Sequence, residues 1–442
     1  MTEIRNREFY EKSKLFVVAA LNLLVTRIQE GEKIPIVINE KIKTGKDGSW
    51  RTVEEQMPLF VALLSRHKKE FENLSECSDC VKAMTSDPSI SKYLNVPILY
   101  YSIQFGRTAE GFLEYLLERQ LPSNIEKIDF NSTLFDDAYQ TLERFFYEDY
   151  IFLRVMSPLH NFTVEDERID LDDNLCLRKI GTDEQEQIMN ESRMSSMIPF
   201  QEAMSFKYTI ELRFRVEKIM GSTIEAAKDP FEVVNRSIGK TISGLVTALR
   251  LFKTGVVGYN IVRIFGSPEL PVPFGTQTSL TSPYKRFRGE QYTLTKLEGS
   301  KFKKFWESLD KIDFDALPQL SIALSRFNFA YERDKLEDKL IDFMVAFEAL
   351  FFKEGEFGEF RHKLAVRVSR LLEPEYKKRK AIVEKMNEFY DERSMVVHGE
   401  KVDLKSDFIN SVEDHLRKSI VIFLERLRTS DHGEIISRLD LE

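Results

Sequence analysis

Phe389-Tyr390-Asp391-Glu392-Arg393-Ser394-Met395-Val396-Val397-His398-Gly399 closes an amphipathic helical run with one Arg, a short apolar stretch, one His and a helix-ending Gly. Arg and His together suit phosphodiester chemistry. Arg offers a permanently charged planar fork to phosphate oxygens, and an imidazole can take or give a proton near neutral pH. Five positions at roughly 100° each turn the two side chains about 140° apart on an ideal helix. They converge only if the helix ends between them or if a second copy of the chain supplies the partner. Taken alone, the same residues have a plainer meaning, with Arg393 capping a helix C-terminus and His398 an ordinary polar residue at the turn.

Outward from this stretch, five helices are expected at 317–331, 334–352, 359–372, 375–396 and 404–427. Pro374 sits at a helix start, and Gly355, Gly358 and Gly399 sit at helix ends. Short connections between such helices describe an all-α bundle over residues 311–442. The fold class expected for the whole chain is α+β, with a mixed N-terminal part followed by this bundle.

Residues 1–160 read as mainly helical, with a hairpin at 36–43 and 49–53 turning on Gly45-Lys46-Asp47-Gly48. Residues 161–310 mix strands, at 208–216 and 257–265, with a helix at 238–252, and a Pro-rich loop at 268–273 follows. The acidic stretch 165–186 alternates carboxylates with Leu171, Leu175, Leu177 and Ile180, the pattern of a strand with one solvated face; its spacing does not fit a calcium loop. Residues 284–306 interleave basic residues, Lys301, Lys303 and Lys304 among them, with Tyr284, Phe287, Tyr292, Phe302, Phe305 and Trp306. That composition fits either single-stranded nucleic acid held by pairing and stacking, or aromatics packed into a core; core packing is the favoured reading.

The chain has 442 residues, 42% hydrophobic and 31% charged, with a formal charge of −8. Such a make-up supports large cores without disulfides and excludes disordered and fibrous classes. The acidity argues against a protein that coats nucleic acid along its whole length. The three cysteines, Cys77, Cys80 and Cys176, do not form a secreted disulfide framework, so a cytoplasmic setting is expected. Cys77-Ser78-Asp79-Cys80 has the spacing of half a zinc site but lacks a second half, and neither metal nor cofactor is expected. The longest apolar run, 15–25, is too short for a membrane span and lacks the flanks of a signal peptide. P-loop, dinucleotide, zinc-protease, serine-hydrolase and kinase signatures do not occur.

The segment 389–399, with what precedes it, resembles the HEPN superfamily, in particular its Apea-like branch. The family hallmark, Arg, four to six residues, then His, reads here Arg393-Ser394-Met395-Val396-Val397-His398. Leu340-Ile341-Asp342-Phe343-Met344-Val345-Ala346-Phe347-Glu348-Ala349-Leu350-Phe351 is similar to the family's helix with a Glu among apolar residues, and 360–372 is similar to the next one. The resemblance covers roughly the last quarter of the chain. It implies a helical bundle that dimerises and a metal-independent endoribonuclease of a bacterial antiphage-defence or toxin-like system. His398 would act as the general base or acid and Arg393 would hold the scissile phosphate, with Ser394 and Glu348 beside them in the cleft. In many members the residue after the Arg is Asn, Asp or His, so Ser394 departs from the pattern.

RNA is the expected substrate and a second copy of the chain the expected partner. A basic surface of Arg361, Lys363, Arg367 and Arg370, with Lys301, Lys303 and Lys304, is the expected RNA contact, although charge runs are commonly just solvated helix faces. The N-terminal part would respond to a trigger that the residues do not name. The alternative is a non-catalytic HEPN-like module in which Arg393 and His398 bind nucleotide or RNA or stabilise a dimer. A third reading is an adaptor that binds nucleic acid through 284–306.

Overall fold

The structure is a computed structural model that describes residues 4–441 apart from 95–97, 101–102, 106–107, 123–127, 196–198, 218, 221–229, 267–276, 281–284, 286, 288 and 310–316. The Pro-rich loop at 268–273 and Tyr284 therefore lie outside the described residues. The chain is mixed α/β, 60% helical and 17% strand, with a helical C-terminal region.

The first part runs α1 (Arg7–Gln29), the hairpin β1 (Ile36–Thr44) and β2 (Trp50–Pro58), α2 (Phe60–Glu72), α3 (Ser75–Ser86), the short α4 (Pro88–Ser91), β3 (Ile98–Tyr100), β4 (Ile103–Phe105), α5 (Ala109–Glu118) and α6 (Ser132–Tyr147). Side chains start these helices as their capping residues predict. Asn6 accepts the Phe9 N–H, Thr108 the Gly111 N–H, and Asn131 those of Thr133 and Leu134. Much of the phenylalanine of this part forms one edge-to-face cluster in the core, for instance Phe112 against Phe146 at 4.9 Å and Phe9 against Phe146 at 6.4 Å.

The second part runs β5 (Tyr150–His160), β6 (Phe162–Val164), β7 (Arg168–Asp170), β8 (Leu175–Lys179), α7 (Thr182–Ser195), α8 (Phe200–Ser205), β9 (Tyr208–Glu217), β10 (Ile219–Met220), α9 (Pro230–Phe252), β11 (Gly258–Tyr259), β12 (Ile261–Gly266), β13 (Gln277–Leu280), β14 (Tyr292–Leu294) and α10 (Lys296–Leu309). An antiparallel sheet orders its strands β13-β12-β5-β9-β8-β7, with β11 also on β5. β5 is thus central, paired with β9 from Tyr150 opposite Glu217 to Pro158 opposite Thr209 and with β12 on its other side. The boundary expected at 160 falls past this strand, which belongs to the sheet and not to the helices before it. The hairpin also belongs here in space. The Ile42 and Thr44 amides donate to Asn190 and Glu186 of α7 at 2.7 Å each.

In the acidic stretch, Ile169, Leu171, Leu175, Leu177 and Ile180 are buried, while Asp172 accepts the Asn174 and Leu175 amides to make the turn. Glu184 and Glu211 bind Arg154 and Arg178 across the sheet. No group of three His, Cys, Asp or Glu among the described residues could hold a metal ion. No described helix is long and apolar enough to cross a membrane.

Cys77 and Cys80 lie on α3 and Cys176 on β8, all buried and unbridged. Burial pushes their thiols up to about 11, about 12 and about 11. A thiolate is the reactive form. All three should resist a thiol-labelling reagent at pH 8 in the native protein and react promptly in urea; fast native labelling of the Cys77/Cys80 pair would show that α3 opens.

The third part is helical: α11 (Pro318–Ala330), α12 (Leu336–Phe351), α13 (Phe360–Leu372), α14 (Tyr376–Val397), α15 (Ser406–Arg426) and α16 (His432–Leu441). Five of the six lie where the apolar periodicity puts them. α16 was not expected, and it buries Ile435, Ile436 and Leu439. One continuous apolar core joins the three parts, from Phe16 through Leu153 and Leu249 to Phe347 and Phe423. At the seam the buried Arg250 of α9 donates to the Val257 carbonyl and to Asn328 of α11, and lies 4.3 Å over Tyr331, whose hydroxyl donates to Glu413 of α15 at 2.6 Å.

Candidate functional site

The end of α14 is a complete Schellman closure. The Gly399 N–H donates to the Val396 carbonyl at 3.1 Å and the Glu400 N–H to that of Met395 at 3.0 Å, with Gly399 at φ +78°. A residue other than glycine there is strained by about 1–2 kcal/mol. This closure makes His398 the capping residue that follows Val397 and holds its backbone, through an N–H bond to the Ser394 carbonyl at 3.0 Å. The imidazole is exposed and has no side-chain partner among the described residues.

Arg393 points elsewhere, as the helical turn of about 140° requires. It reaches Glu348 of α12, Nη2 to Oε1 at 3.5 Å, and its guanidinium sits 5.8 Å over the ring of Tyr390 one turn earlier. Its Nε is enclosed and has no hydrogen-bond partner. Glu348 is half-buried, and desolvation raises its carboxyl above the usual range against the opposing pull of Arg393. Asp342, also on α12, is fully buried and bridged by Arg326 and Arg333, a structural role. Ser394 is half-buried beside Arg393.

The raised Glu348 carboxyl has a pH signature. The folded state holds this proton more tightly than the unfolded chain, so stability falls as pH rises from about 4.5 through the raised value. Wild-type protein should therefore gain stability relative to Glu348→Gln as the pH is lowered from 7 to 4.5, read as the difference in urea midpoints. A difference that shrinks in the opposite sense would contradict the burial of this charge.

The expected basic surface separates into distinct roles. Arg361 at the start of α13 holds Asp391 of α14 through two hydrogen bonds of 2.7 and 2.6 Å, both side chains exposed. Lys363 is spent on Glu356 at 3.2 Å. Arg367 is corrected from surface to core. It is 3% exposed, and its guanidinium is filled by Glu356, Asp440 and the Phe351 carbonyl. Arg370 donates to the carbonyls of Leu439 and Asp440 and ties down α16. The periodicity of α13 puts Arg367 on its buried face with Leu364 and Leu371, a signal that was legible and overridden by counting charges.

Lys301, Lys303 and Lys304 lie on α10, which packs on α9, β7 and β14, whereas α14 packs on α12 and α13. Lys301 and Lys304 are exposed. Two of the aromatics between the basic residues belong to the core: Tyr292 and Phe302 are fully buried, Tyr292 donating to the Leu249 carbonyl and Phe302 packing on Phe252. Tyr390 and Asp391 were missed as neighbours of the site. The position of Tyr390 three residues before Arg393 was a usable signal; the pairing of Asp391 with Arg361 needed the fold. No family model matches the chain, and neither a curated protein nor a solved structure matches it.

Proposed function

We propose that the C-terminal bundle is a HEPN-like endoribonuclease that works as a homodimer, Arg393 and His398 of two copies lining one cleft. The observation that carries this reading is the pairing of chemistries at the end of α14. A guanidinium keeps an unpartnered N–H beside a displaceable carboxylate, and an exposed imidazole stands five residues on, on a backbone fixed by the helix closure. Within one chain the two side chains diverge, so a second copy is the direct way to bring them to one phosphate. Val397, apolar and 53% exposed beside His398, is surface that such an association would cover.

In the proposed reaction one imidazole takes the ribose 2′-OH proton and the 2′-oxygen attacks phosphorus. The bond to the 5′-oxygen breaks as that oxygen gains a proton, leaving a 2′,3′-cyclic phosphate and a 5′-OH. Arg393, released from Glu348, would carry the charge on the non-bridging oxygens. Metal independence follows from the family resemblance and is part of the proposal. The test is labelled single-stranded RNA and matched DNA incubated with the protein in EDTA. RNA cut to cyclic-phosphate ends with DNA intact is the expected outcome, because DNA lacks the nucleophile; cleavage of both alike would end this reading.

The Glu348 ion pair and the short Ser394 favour a second reading, a non-catalytic HEPN-like module in which Arg393 and His398 bind a nucleotide or hold the dimer. That reading expects Arg393→Ala and His398→Ala to weaken the dimer, without any cleavage to lose.

A further inference from the structure

Far from the α14 site, the inner face of the sheet, α9, the end of α10 and the start of α11 enclose a groove of about 900 Å³. Small-molecule sites fall at about 300–1,000 Å³ and combine apolar walls with a few polar groups. Leu175, Leu212, Leu309 and Leu324 supply apolar wall, and Trp306 supplies an aromatic surface. α9 turns toward it Thr241, Gly244, Thr247 and Ala248, three and four residues apart, so the helix wall is low and carries hydroxyls.

Gly244 is the informative residue. A Cβ built on it meets nothing within 4 Å, and neither a left-handed backbone nor a close neighbour requires glycine there. Glycine in a helix interior is destabilising relative to alanine, and here it serves only to widen the groove.

The charges define the occupant. Asp172 and Asp173 stand at the groove against Lys240. Arg213 and Arg215 alternate along β9 with Leu212 and Phe214, and their guanidinia lie over Phe152 and Tyr150 at 3.8 and 3.9 Å, on the opposite face of the strand. Strand alternation thus turns both guanidinia to the face away from Leu212, which leaves Lys240 as the cation facing Asp172 and Asp173 among the described lining residues, a balance that disfavours a phosphate. Trp306 suits a flat ring and the carboxylates suit amino groups; the Thr247 hydroxyl is taken up by the Ser243 carbonyl and Asn328, while that of Thr241 donates to the Ser237 carbonyl and can still accept from a ligand. We propose that this groove binds an uncharged nucleoside-like ligand, a flat heteroaromatic ring bearing amino and hydroxyl groups.

The chain has two tryptophans, Trp50 on β2 and Trp306 in the groove. In a Trp50→Phe background Trp306 is the sole fluorescent reporter. Adenosine titrated into this full-length protein should give a saturable change with a Kd below about 1 mM. Gly244→Leu, whose side chain enters open space and whose helix propensity is better, should lose about tenfold or more in affinity with an unchanged or raised thermal midpoint. Thr241→Val, nearly isosteric, should weaken binding with the groove left open. Adenosine monophosphate should bind more weakly than adenosine, because its phosphate meets Asp172 and Asp173. The proposal is overturned by no saturable change up to 1 mM, by equal affinity in the Gly244→Leu protein, or by tighter binding of the monophosphate.

Discussion

For the proposed nuclease, His398→Ala should lower the rate of RNA cleavage by about 10²- to 10⁴-fold, the contribution of a positioned acid or base, and leave the thermal midpoint unchanged. The second half of that expectation follows from the structure. The imidazole is exposed and makes no side-chain hydrogen bond among the described residues, while the closure that positions it is built from backbone groups and Gly399. Truncation thus removes chemistry and little packing; surface changes of this kind stay within about 0.5 kcal/mol. Arg393→Ala should cost as much in cleavage but also some stability, because half-buried Glu348 loses its cation. Arg393→Lys keeps that charge and loses the planar fork, so it should restore stability without restoring cleavage. Cleavage rates and melting curves on the four proteins check this. Retained cleavage in His398→Ala would remove the nuclease proposal, and a lowered midpoint there would point to the binding-module reading instead.

Arg367→Ala should destabilise the protein by about 1–3 kcal/mol, the cost of removing a buried guanidinium from the Phe351 carbonyl and the half-buried Glu356, while exposed Asp440 turns to water. The change leaves Glu356 to Lys363 and the Lys353 amide, removes the guanidinium from the Phe351 carbonyl, and cuts the Arg367–Asp440 tie between α13 and α16. Arg370 and the buried Ile435, Ile436 and Leu439 are then left to hold α16, so limited proteolysis should release that helix first. The same pair shows in acid. Hydrogen bonding from Arg367 is the largest influence on Glu356 and holds its carboxyl down to about 2. A carboxyl depressed in the folded state contributes stability that is fully present above about 4.5 and lost as pH falls toward 2. In the Arg367→Ala protein this acid-side loss should be blunted. Urea unfolding at pH 7 and pH 3 reads both effects, and a midpoint at pH 7 equal to wild type would contradict the structural role of Arg367.

The helices of the bundle were legible because each buries a stripe at its own period, and Pro374, Gly355, Gly358 and Gly399 sit at their ends. α16 escaped because the helix is only 10 residues long and its stripe is three residues, Ile435, Ile436 and Leu439, too short to stand out. The hairpin and the strands near 208 and 257 were legible for the same local reason, and β5 was recognised only in space. Its first residues alternate in burial but its last six are all buried, so the alternation is short, and its partners lie about 60 and 110 residues away in β9 and β12.

The candidate site divides along the same line. By itself the sequence determined that Arg393 and His398 stand five residues apart at a helix end, that Gly399 closes that helix, and that the two side chains diverge, because these follow from helical geometry and from glycine's freedom at positive φ. Only the tertiary structure decided which charges are spent and which are free. Glu348 reaches Arg393 across two helices, Arg361 is turned to Asp391, Arg367 is drawn into the core by acids 11 and 73 residues away, and Lys301 and Lys304 stay exposed on another element. A charge's role depends on how much water surrounds it and on which opposite charge lies within reach, and both are set by packing between segments distant along the chain.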